Sequence, residues 1–452
     1  MRSKYRLVRM FTLCWFVALS CFFGIVDASA DTCLTLGCHV DLKQMVYSHS
    51  PVVEEDCSSC HEQVQGQHPL EKGGSFQLVE AGAKLCYQCH DAMGRKLTVH
   101  SPVKDGGCTD CHNPHGSNVG RFLLPAEHDL TELCLNCHDS ELFTNNVVHG
   151  PAASGACIQC HDPHESNQPS LLKNPPQDIC TSCHTEIADG MANSPVIHAA
   201  VKESSCTSCH NPHSSPAPKL LQKDIEELCM DCHGDVGRKA KKSKVKHAAL
   251  YRPEKCSACH ATHFSNFPAL LNQSEQEVCL SCHGNDDYSK SKPLKNIAKE
   301  IEGKAILHGP LQDGKCSACH NPHGSDYTRM LKGAYPKSFY QPYTKGSYDF
   351  CLECHDDNLL RFPETSIYTE FRNGKTNLHY LHVSNKYKGR SCRACHQPHA
   401  ADMEKLMDEE GAKFGDWNIP TRFIKTDTGG SCSPGCHQSY GYDRETPVVY
   451  EK

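Results

Sequence analysis

Tryptophan is nearly missing from this chain: two occur in 452 residues, Trp15 and Trp417. Aromatic residues make up 7% and apolar residues 38%, a thin supply for a conventional core in a chain of this length. Long apolar runs are also scarce. After Val26 no segment reaches the roughly 17–25 apolar residues of a membrane-spanning helix. Nor is there a strong excess of one charge: 46 Lys and Arg face 53 Asp and Glu, a net of −7, which disfavours a nucleic-acid surface. What the chain has in excess is cysteine, 32 residues, and histidine, 31 residues.

The cysteines follow one rule. A cysteine, a short gap, a second cysteine and then a histidine recur fifteen times. Thirteen copies are strict CxxCH. They are Cys57, Cys60 and His61; Cys86, Cys89 and His90; Cys108, Cys111 and His112; Cys134, Cys137 and His138; Cys157, Cys160 and His161; Cys180, Cys183 and His184; Cys206, Cys209 and His210. They continue with Cys229, Cys232 and His233; Cys256, Cys259 and His260; Cys279, Cys282 and His283; Cys316, Cys319 and His320; Cys351, Cys354 and His355; Cys392, Cys395 and His396. Two copies have wider gaps, Cys33, Cys38 and His39 at one end and Cys432, Cys436 and His437 at the other. CxxCH is the attachment signature of c-type haem. On a helical turn, positions i, i+3 and i+4 share a face, so two thiols reach the porphyrin vinyl groups and the histidine turns under the ring to bind iron. Fifteen pairs use 30 cysteines, and the other two, Cys14 and Cys21, lie in the N-terminal apolar segment. Zinc sites, disulfide scaffolds and iron–sulfur centres do not require a histidine after each second cysteine. The expectation is fifteen covalent haems.

Residues 1–30 read as a secretory signal. Arg2, Lys4, Arg6 and Arg9 precede a mostly apolar run from Met10 to Val26, and Ala28-Ser29-Ala30 offers a cleavage site before Asp31. Two other readings compete: lipoprotein processing at Cys21 after Ala18-Leu19-Ser20, and retention of the run as an anchor. Export suits a chain whose haems are attached outside the bacterial inner membrane. Beyond the leader, fifteen haems leave roughly 28 residues each, too few for a separate core around every one. The expected fold is therefore mostly irregular with short α-helices, an elongated array of two-haem repeats with the haems as core. Two propionates per haem and a ferric iron would take the net charge to about −22.

The motifs repeat in pairs. First cysteines at 108, 157, 206 and 256 are 49, 49 and 50 residues apart, the fixed period of a repeat architecture. Seven repeats open with a histidine: His49, His100, His149, His198, His247, His308 and His382. Each has a further histidine after its first motif, commonly in an NPH triplet: His68, His115, His164, His213, His263, His323 and His399. These fourteen are read as further iron ligands. The NPH-type histidine lies three residues past a histidine that already occupies the near face of its iron, so it must serve another haem. His128 and His379 remain, against one haem, at Cys33, that has no ligand within a repeat of its own. Either could fold back to it; a neighbouring subunit or an open site are the other options.

Spacing divides the mature chain into a dense part, 31–284, with first cysteines 22–29 residues apart, and a looser part, 285–452, where gaps run from 35 to 41. Twelve of sixteen tyrosines lie from Tyr288 onward. The longer loops there are read as covers for haem edges or as a docking surface. The basic run Arg238–Lys246 is either a solvated face balancing propionates or a site for a redox partner.

Units such as CTDCHNPHGS followed by ELCLNCH resemble the doubled-CxxCH multihaem cytochromes c of dissimilatory metal-reducing bacteria, over Cys57 to His437. That resemblance implies an electron conduit between periplasm and outer surface, with other cytochromes or an outer-membrane porin as partners, or a self-associating filament subunit. The two wide motifs depart from the family spacing. Iron between two histidines has no open position and a low potential, because no methionine ligand raises it, so a relay is expected rather than an enzyme. The rival is a terminal reductase with one open haem; the CxxCK motif of many multihaem nitrite reductases does not occur.

Overall fold

A computed structural model describes residues 33–34, 37–66, 68, 74–124, 130–203, 205–288 and 294–450. The expected leader, with Cys14 and Cys21, and His128 lie outside the described residues. Contacts group the chain into two compact units, Met1–Asn136 with Pro163–Ser166, and Cys137–Asp162 with Asn167–Lys452. The change of motif spacing after Cys279 falls inside the second unit.

Both units are built from very short elements. The longest described helices, Thr185–Asn193, Gly234–Lys242 and Glu275–His283, have nine residues each. Most sheets have two strands; one at the C-terminal end has three, Ile424–Lys425, Gly429–Cys432 and Tyr440–Asp443. Among the described residues no helix is long and apolar enough to cross a membrane. Seven apolar side chains are buried among them, Leu34, Tyr348, Leu360, Val383, Ala394, Ala400 and Ala401. Tyr348, Leu360 and Val383 form a small cluster in the second unit, with Tyr335 and Tyr343 packed on it.

The repeat has a consistent local logic. Opening histidines sit at the N-cap of a one-turn helix with proline just inside, as in Ser50–Val53, Ser101–Lys104, Gly150–Ala153 and Gly309–Gln312. Proline suits that position because its fixed φ fits the helix and its missing N–H has no partner to lose. First motifs form a single tight turn, such as Cys108–Asp110 or Cys316–Ala318. The second motifs at Cys229 and Cys279 ride on longer helices with explicit N-caps. Asp224 accepts from Glu226 N, and Ser274 with Glu277 forms a capping box.

A two-residue antiparallel ladder joins each repeat to the next. Val147–Val148, just before His149, pairs with Ser214–Ser215, just after His213. The same register links Thr98–Val99 to Glu165–Ser166 in the first unit, and Ile306–Leu307 to Ala400–Ala401 in the second. Each ladder brings an opening histidine beside the NPH-type histidine of the following repeat: His100 N donates to His164 O at 2.9 Å, and His308 N to His399 O at 2.9 Å. Inside the ladder, Ser117, Ser215, Ser265 and Ser325 are buried and donate Oγ–H to the carbonyls of Leu123, Leu221, Leu271 and Leu331.

Candidate haem sites

The ladder places histidine rings face to face. Opening histidines meet the second motif of their own repeat. His49 lies opposite His90 with ring centres 5.9 Å apart, His149 opposite His184 at 6.2 Å, and His198 opposite His233 at 6.1 Å. His247 and His283, and His308 and His355, stand 6.2 Å apart. NPH-type histidines instead meet the first motif of the preceding repeat. His115 faces His61 at 6.0 Å, His164 faces His112 at 5.9 Å, and His213 faces His161 at 6.0 Å. His263 faces His210 at 5.9 Å, His323 faces His260 at 6.1 Å, and His399 faces His320 at 6.4 Å.

The two ends of the array complete this rule. His68, in the first repeat, lies 6.0 Å from His39, so the wide motif at Cys33 faces an NPH-type histidine. His396, in the repeat that opens at His382, is faced by no NPH-type histidine among the described residues. His379 takes that place, 6.4 Å away on the helix Leu378–Val383, which also carries the opening His382. His437 is near enough to His382 to act on its charge. His379 is the ligand candidate that a count by repeat misassigns. The signal was present: His379 and His382 are three apart and share a helix face.

Ring orientation is fixed from behind. In the first motifs, Nδ1 of His161, His260, His320 and His396 lies 2.8 Å from the carbonyl oxygens of Ser170, Ala269, Arg329 and Lys405. His112 and His210 make the same contact at 2.9 Å with Arg121 and Lys219. Opening histidines use the proline carbonyl of the next NPH triplet, His49 with Pro114 and His100 with Pro163 at 2.8 Å, His149 with Pro212 at 2.9 Å. A carbonyl can only accept, so Nδ1 carries the proton and Nε2 keeps its lone pair for a metal. Burial further disfavours the charged ring, lowering the pKa of His213, His263, His323 and His396, and that of His379 to about 4.

The first-motif carbonyls are aimed by a strained backbone. Ser170 and Leu171, Lys219 and Leu220, Ala269 and Leu270, Arg329 and Met330, Lys405 and Leu406, and Arg121 and Phe122 all have φ between 53° and 62°. Two consecutive non-glycine residues in the left-handed region cost about 1–2 kcal/mol each. The first turns its carbonyl to the motif histidine, and the second accepts from the residue after that histidine, as Leu220 O does from Asn211 N at 2.7 Å. The serine of the ladder closes the same turn. Neither the paired conformation nor the buried serine was singled out in the sequence.

The residues fit haem. A histidine nitrogen binds a first-row metal at about 2.0–2.1 Å, and with about 1.1 Å from nitrogen to ring centre, two rings on one iron stand about 6.2–6.4 Å apart. Thirteen pairs stand at 5.9–6.4 Å, with interplanar angles of 8° to 36°, five of them inside that range and the other eight short of it by about 0.1–0.3 Å. Thiols of successive motifs also meet, alternately through first and second cysteines. In the second unit Cys180 faces Cys206, Cys279 faces Cys316 and Cys351 faces Cys392. Cys160 is close to Cys183, Cys259 to Cys282 and Cys319 to Cys354.

Paired CXXCH repeats of this kind define a multihaem c-type cytochrome, a class built for electron transfer. The chain belongs to the doubled CXXCH motif family, which matches residues 49–95, 100–142, 149–189, 198–238, 247–288 and 308–359, more than half of its length. These six paired regions imply covalently bound c-type haems. The chain is also similar to a multiheme cytochrome MtrA of Shewanella baltica (strain OS185), 28% identical over 120 residues. That match covers 25% of this chain and spans a third of the relative's length.

Proposed function

We propose that this chain is an exported cytochrome of fifteen haems, most of them bis-histidine, that relays electrons across the periplasm or outer membrane toward a low-potential, extracellular acceptor. The observation that carries the reading is the set of facing histidines, each pair near the separation of two axial ligands and most with a ring oriented from behind. Haem c supplies a one-electron iron couple and a conjugated edge from which electrons hop. The chain's own residues do the rest. Two cysteines per site tether the ring, the motif histidine takes one face of the iron, and the facing histidine takes the other and denies it to substrate. His100, His138, His382 and His437 keep their assignment through the repeat, and His379 joins them. The meeting of successive thiols in the second unit supports close haem edges there, which hopping requires. With seven buried apolar side chains among the described residues, the porphyrins are assigned the role of core. Partners are other cytochromes, with an outer-membrane porin as the housing suggested by the MtrA-like match. Carbon monoxide titration of the reduced protein tests relay against reductase: no binding is expected, and binding at one haem in fifteen would contradict the closed-site reading.

A further inference from the structure

The NPH-type histidine His399 stands beside a buried carboxylate, and no hydrogen bond satisfies its Nδ1. Its Nδ1 lies 3.3 Å from Oε1 of Glu300, off the line of a hydrogen bond, and it has no other partner. Its ring is also the most rotated of the thirteen, 36° from that of His320. The Glu300 carboxylate is 12% exposed, and its other oxygen lies 2.7 Å from Nζ of Lys295.

Glu300 arrives on an insertion. His233 and the next opening histidine, His247, are 14 positions apart, whereas His283 and His308 are 25 apart. The extra chain forms the helix Ile297–Ile301, capped by Asn296. Lys304 pins it to Asp402 at 2.6 Å, and the ladder Ile306–Leu307 with Ala400–Ala401 follows. The carboxylate is thus fixed over His399 by three tethers on the strand that carries it. On the opposite side, the carbonyl of Arg329 accepts from His320, and the Arg329 side chain feels the Glu300 charge.

We propose that Glu300 is a positioning residue for the haem of Cys316, Cys319 and His320: it takes the Nδ1–H of the distal ligand His399 and places a negative charge beside it, lowering this haem's potential below those of its neighbours. The proposal rests on the ligation reading above. With Nε2 on iron, the proton left on Nδ1 would be the one the Glu300 carboxylate accepts. A carboxylate on a ligating histidine raises its basicity and tunes the metal. It favours the ferric state in the one-electron couple while the proton stays on Nδ1. Lys295 offsets part of that charge. The contacts of Cys279 with Cys316 and of Cys319 with Cys354 place the affected haem between two others, so the insertion sets a low-potential step inside the second unit.

The test is spectroelectrochemical titration with electron paramagnetic resonance on the intact holoprotein. Glu300→Gln keeps an acceptor and removes the charge; it is expected to raise one haem's midpoint by about 59 mV, a tenfold change in its oxidised-to-reduced ratio, and to move one low-spin signal. Lys295→Gln should shift the same component down. In a His399→Met background, Glu300→Gln should no longer move a bis-histidine component, which assigns the effect to this haem. If both single variants keep every haem covalent and low-spin yet superimpose on the parent, or shift with opposite sign, Glu300 is only a structural tie and the proposal falls. Should Glu300→Gln fail to load, Lys295→Gln decides alone. High-spin haem throughout the parent protein would instead bring down the ligation reading.

Discussion

A histidine in this chain is worth what stands behind it. Nδ1 bound to a carbonyl turns a titratable side chain into a neutral ligand with one nitrogen to offer, and the chain builds that arrangement repeatedly from backbone alone. The cysteines and motif histidines were legible in the sequence, because CxxCH states its chemistry locally. Of the fourteen additional histidines read from the repeats, twelve stand opposite a motif histidine. Which motif histidine each one faces was not legible, since the deciding ladder joins residues such as His149 and His213 across 64 positions. His379 was obscured for the same reason: only the ladder shows that His68 moves to the front of the array and leaves His396 in need of a partner. Replacing His379 with Ala should therefore convert one haem to high spin without changing the covalent count, while His128→Ala should leave all haems low-spin. Room-temperature magnetic circular dichroism distinguishes the two. Equal spectra from both variants would remove His379 from the ligand set.

At the scale of elements, short turns are held in costly conformations by several bonds at once. The expectation of short helices in a mostly irregular chain is met, because proline inside four of the opening turns and a motif every few tens of residues leave little room for longer ones. The left-handed pairs were hidden, since nothing in Pro-Ala-Leu-Leu or Pro-Lys-Leu-Leu carries the glycine that usually marks positive φ. They persist because His260 Nδ1, Ala261 N and Ser265 Oγ all bind the same turn, and such over-determination is what strained backbone needs. Ala269→Gly should relieve the strain and stabilise the holoprotein by about 1 kcal/mol. Ala269→Pro, with φ locked near −65°, should turn the carbonyl away from His260 and loosen that haem's ligation. Thermal melts followed in the Soret band measure both, and a destabilised glycine variant would show that the conformation is not strained.

At the scale of the whole molecule, the proposed fifteen haems would stand in for a core to which the described residues contribute seven buried apolar side chains. Each compact unit contains facing histidine pairs, four in the first and nine in the second. If porphyrin is the core, the apoprotein has little to fold around, and blocking haem attachment should leave a chain cleaved by protease within its ladders. The looser spacing after Cys279 then reads as protein added to particular haems rather than as filler, Glu300 being one case and the Tyr335–Tyr348 cluster beside Cys392 another. The most direct measurement is the intact mass of the denatured, exported protein. Fifteen covalent haems are predicted, including those at Cys33 and Cys432. A mass corresponding to thirteen would strip both wide motifs of their role and break the pairings at His39 and His437, and a haem-free mass would contradict the account as a whole.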